Sequence, residues 1–63
     1  MSNFIEATAT IYNHLTEERV SLIETLETMK FTPAHTKKIE NKIEKIAECQ
    51  EKIEKLLDIL SAS

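Results

Sequence analysis

Apolar residues in the second half of the chain fall on a regular beat. Ile39, Ile43, Ile46, Gln50, Ile53, Leu57 and Leu60 are spaced alternately four and three apart, with Gln50 the only polar member. That is the seam of a coiled-coil helix, whose partner contacts recur every 3.5 residues. Cys49 and Leu56 lie beside the seam and widen the stripe on one flank. The first half carries a similar but less pure seam of Ile5, Thr8, Tyr12, Leu15, Arg19, Leu22, Leu26 and Met29. Phe4, Ile11, Val20 and Ile23 fall off it, so this helix has more apolar residues than one partner helix covers.

The boundary between the two patterns is Lys30-Phe31-Thr32-Pro33. Proline suits the first helical position, where its missing N–H is no loss. Thr32 then stands as the N-cap, its hydroxyl accepting an amide of the first turn. Asn3 and Glu6 have the spacing of a capping box at the start of the first helix. The expectation is an all-α chain forming one helical hairpin over 1–63, with a helix over about 3–30, a turn at 31–32 and a helix over about 33–61. The last residues, Ser61-Ala62-Ser63, should fray. The weak helix formers Thr8, Thr10, Ile11 and Asn13, followed by Thr16-Glu17-Glu18, mark Asn13 to Leu15 as the place where a kink or division is the alternative to the favoured continuous helix.

A short connection makes the helices antiparallel, and the heptads permit two registers. One sets Leu22 against Ile39, Leu15 against Ile46 and Tyr12 against Gln50, and fits the shorter turn; it is the favoured one. The other sets Leu26 against Ile43 and Arg19 against Gln50. Arg19 pairs with Glu40 or Glu44 in the first register and with Gln50 in the second. Tyr12 puts its ring in the core and its hydroxyl on Gln50 or water. Polar residues in a seam specify register or oligomeric state at a cost in stability.

Size changes the picture. A chain of 63 residues buries only about 60% of its unfolded surface, and two helices leave their outer faces wet. The surplus apolar residues predict an association surface. Two hairpins pairing as a two-fold homodimer, a four-helix bundle, is the simplest arrangement.

Composition narrows the function. There is no Gly, which excludes the phosphate-cradling loops of nucleotide-binding motifs. A single Cys excludes an intrachain disulfide framework and suits a reducing, cytoplasmic setting. Nothing resembles a signal peptide or a membrane span. Residues 1–31 carry five acidic and two basic groups, and residues 32–63 six of each. Lys38, Lys45 and Lys52 repeat every seven residues beside Glu44, Glu51 and Asp58. Glu48–Lys52 and Glu51–Lys55 have the spacing of helical ion pairs. A solvated, charge-laced face is the reading; phosphate binding needs an uncompensated basic patch, so nucleic acid is only an alternative.

Three features could carry chemistry. His14, Glu17 and Glu18 have the helical spacing of metal ligands, but without a second cluster they read as a polar surface. His35, in the first turn of the second helix, reads as a surface residue. Cys49 reads as a buried, inert thiol flanking the seam, with no positioned base to activate it. Two helices also cannot enclose a substrate pocket.

The layout, with Phe31-Thr32 in a short turn between amphipathic helices, is similar to the small sporulation-control phosphatases of bacilli, which act on aspartyl-phosphate in response regulators. Their Ser-Gln-Glu-Leu-Asp signature falls at Glu40-Asn41-Lys42-Ile43-Glu44, where only the apolar fourth and acidic fifth positions survive. Lys30 stands at the family's turn Gly. The resemblance implies no catalytic residue here.

The expected function is that of a cytoplasmic protein–protein interaction module without enzymatic activity or cofactor. It binds itself and another protein as regulator, inhibitor or assembly factor. The candidate interaction residues are Ile11, Arg19, Val20, Ile23 and Gln50. The alternatives are a metal-dependent or phosphatase-like activity at an oligomer interface and weak nucleic-acid binding through the lysine row.

Overall fold

A computed structural model describes residues 2–62, and the side chain of Ser2 lies outside that description. The chain forms two α-helices, α1 (Ser2–Thr28) and α2 (Pro33–Ala62), packed against each other. Cross-helix bonds join Tyr12 to Glu54 and Arg19 to Gln50, so the helices run antiparallel. The hairpin measures 47 × 15 × 12 Å, close to the length of α2 alone at about 1.5 Å per residue.

The turn is built as its residues dictate. Thr32 Oγ1 accepts the His35 amide at 3.2 Å, and the Thr32 carbonyl accepts the Thr36 amide at 2.9 Å. Thr32 is therefore the N-cap of α2 and Pro33 its first residue. Phe31, just outside, stacks on the exposed His35 ring, with centroids 5.0 Å apart and planes 8° from parallel. The connection spans residues 29–32, because α1 stops at Thr28 and not near Lys30. Its other end differs too: α1 starts at Ser2, so Asn3 lies within the first turn and does not cap it. Ser61 and Ala62 are helical, and Ser63 lies outside the described residues.

α1 runs unbroken through Asn13 to Leu15, as the favoured reading has it. Five threonines of α1, at positions 8, 10, 16, 25 and 28, turn their hydroxyls back onto the carbonyl four residues earlier. This satisfies the hydroxyl within the helix and removes its incentive to form a turn.

All seven seam positions of α2 face inward, with Ile46 and Gln50 the most enclosed. In α1 the inner positions of the seam, from Thr8 to Leu26, are sheltered, whereas Ile5 and Met29 at its ends are exposed. Leu56 and Cys49 are exposed as well, against the expectation that they widen the buried stripe. A single partner helix covers only the two seam rows, and these residues lie on the row just beside them.

The stagger corrects the favoured register. Gln50 bonds to Tyr12, Thr16 and Arg19 together, so it lies level with Thr16, between the two expected alignments. A glutamine that donates both amide hydrogens and accepts from Arg19 at this height outweighs the flush ends of the shorter register. Arg19 accordingly pairs with Gln50, not with Glu40 or Glu44.

Candidate functional site

The core of the hairpin is one polar layer and its neighbours. Gln50 is 2% exposed, with both amide hydrogens donated and its amide oxygen accepting one bond. Its Nε2 donates to the Tyr12 carbonyl at 3.2 Å and to Thr16 Oγ1 at 2.7 Å. Its Oε1 accepts from Arg19 Nη1 at 2.6 Å, a short, charge-assisted bond. Arg19 Nε is buried without an acceptor. The layer thus fixes the stagger while leaving one donor unsatisfied, a cost typical of polar groups retained for register.

Tyr12 flanks this layer. Its hydroxyl donates to Glu54 Oε2 at 3.3 Å. Desolvation against α2, then the Glu54 charge and this hydrogen bond, push the phenol above its ordinary pKa of 10.0, with Arg19 opposing.

The outer surface sorts into two rims. In an antiparallel pair, equivalent flanking positions of the two helices lie on the same side. One rim carries Phe4, Ile11 and Glu18 of α1 beside Lys42, Cys49 and Leu56 of α2. Outside these run Lys38, Lys45, Lys52 and Ile59, all exposed. The other rim carries Thr16, Val20 and Ile23 of α1 beside Ala47 and Glu54 of α2. Glu40, Glu44, Glu51 and Asp58 make it acidic, and all four are exposed.

The expected interaction residues divide accordingly. Ile11 is 55% exposed on the basic rim; Val20 and Ile23, at 47% and 39%, lie on the acidic one. Arg19 and Gln50 are turned toward each other inside the hairpin. Periodicity found the surplus of α1. It missed Leu56 and Ile59 as surface residues, although Ile59 is 66% exposed, and its position outside the seam was the available signal.

The chemical candidates are dispersed. His14 Nδ1 lies 3.7 Å from Glu17 Oε2, with both side chains exposed, and Glu18 does not join them. No group of three or more metal-ligating side chains occurs among the described residues. Cys49 is an exposed thiol, contrary to the buried one expected. Lys55 pairs with Glu51 at 3.8 Å, while Glu48 and Lys52 form no ion pair among the described residues. No described helix is long and apolar enough to cross a membrane. No family model, curated protein or solved structure matches the chain.

Proposed function

We propose that this protein is a small helical interaction module that self-associates into a homodimer and works by docking on another protein as a regulator, inhibitor or assembly factor. The observation that carries this reading is the imbalance between core and surface. Ile46 is the one buried apolar residue among the described residues, while eight large apolar side chains are exposed. A hairpin so exposed has little burial to offset the ordering of its chain. Association is the usual remedy for a domain of this size.

Docking on a partner would use apolar residues at helical spacing as anchors. Val20 and Ile23 suit that role on the acidic rim, where a partner helix with basic flanks would find complementary charge. The test is absolute mass by light scattering across a concentration series, with circular dichroism on the same samples. A helical species of twice the 7.2 kDa chain mass supports the reading. A stable helical monomer at every concentration contradicts it.

A further inference from the structure

We infer that a second copy of this chain covers the basic rim, seated on Phe4, Ile11, Leu56 and Ile59 about a two-fold axis running along the hairpin. The inference rests on the self-association proposed above and names its face and geometry. Area comes first. A folded monomer of 7.2 kDa exposes on the order of 4,100 Å², and this hairpin exposes 5152 Å². The excess, about 1,000 Å², is close to the ~800 Å² that each partner contributes to a standard interface.

Charge then selects the rim. A two-fold axis along the hairpin lays α1 of one copy over α2 of the other, antiparallel to it and at the same height. The height is fixed by the Gln50–Thr16 bond. On the basic rim, Phe4 and Ile11 then meet Leu56 and Ile59 of the second copy. Glu18 falls between the second copy's Lys45 and Lys52. The four lysines of this rim, Lys38, Lys42, Lys45 and Lys52, face the α1 row of the other copy, which has no lysine or arginine there, so no like charges oppose. The same operation on the acidic rim sets Glu6 against Asp58, Glu27 against Glu40, and Val20 and Ile23 against Glu44 and Glu40. That pairing opposes acid to acid and apolar side chains to carboxylates, which costs rather than contributes. The basic rim is self-complementary and the acidic rim is not. Self-association therefore leaves Val20 and Ile23 free for a different partner.

Two experiments test this. Ile11→Asp combined with Leu56→Asp should reduce the light-scattering mass from twice the chain mass to the chain mass, and Val20→Asp should leave the dimer intact. Independently, Glu18→Cys places a thiol opposite the second copy's Cys49. A bridge between residues 18 and 49 of one chain would leave the mass of a single chain on the gel, so only a band of twice that mass reports a bond between copies. Mild oxidation should therefore give a covalent pair on a non-reducing gel, and this result decides the matter if the double variant loses its helix. A dimer that survives Ile11→Asp with Leu56→Asp but is split by Val20→Asp overturns the assignment of the face and retains self-association. A dimeric Glu18→Cys protein whose two thiols stay free under the same oxidation, with no covalent pair, also overturns the face. A monomeric wild type overturns both.

Discussion

Each seam position of α2 from Ile39 to Leu60 is turned inward, whereas α1 loses Ile5 and Met29 to solvent and spends two seam positions on Thr8 and Arg19. Yet α1 carries Phe4, Ile11, Val20 and Ile23 outside the seam, all exposed. Of the two helices, α2 behaves as the template of the hairpin, and α1 as the element whose apolar surface extends to both rims. A strict heptad buries one stripe against one partner and stops there. A helix with a broader apolar arc needs neighbours on more than one side.

The largest break in that comparison should come from shaving the template. Ile46→Ala is expected to cost about 3 kcal/mol, whereas Val20→Ala should stay within about 0.5 kcal/mol. Urea unfolding followed by circular dichroism compares them directly. Equal effects would mean that the exposed rim of α1 is as structural as the seam of α2.

Next in size is the polar layer that locks the two helices in register. Gln50→Leu strands the Arg19 guanidinium and should cost about 2 kcal/mol. Adding Arg19→Leu should recover most of that loss, because replacing both members of a polar pair is far milder than removing one. Strictly additive losses would show that the two side chains do not act together. Removing the cap of α2 is smaller again. Thr32→Ala should lower stability by about 1 kcal/mol, and the same urea midpoint reads it.

The smallest effect is one of pH. The folded-state pKa of Tyr12 is raised, so its contribution is fully present below the ordinary tyrosine pKa and is lost as the pH rises through the folded value. Between about pH 9 and 11 the wild type should lose more stability than Tyr12→Phe, a comparison that cancels the lysines titrating in the same window. Parallel losses would remove Tyr12 as a titrating contact.

Much of the hairpin was legible before any coordinates. The alternating spacing from Ile39 to Leu60 and the Thr32-Pro33 signal are local properties of the chain, and both appear in the structure as read. The stagger was not legible, because a heptad pattern offers several alignments of similar apolar content and side-chain hydrogen bonds at Gln50 choose between them. The sequence favours a continuous α1 but leaves a kink open, for a related reason. A threonine either breaks a helix or folds its hydroxyl back onto it, and the sequence does not say which. Cys49 and Leu56 looked buried because their place at the edge of a stripe becomes core only with a second layer. The two rims, by contrast, follow from spacing once the helices are known to be antiparallel.

The central claim is that this hairpin is half of a core, completed by association. The concentration dependence of its thermal unfolding tests that claim most directly, since assembly linked to folding makes Tm rise with protein concentration. A Tm that climbs by several degrees between low micromolar and near-millimolar protein is the expected result. A cooperative transition at one fixed temperature over that range would show that two helices and their single polar layer fold alone, and would contradict it.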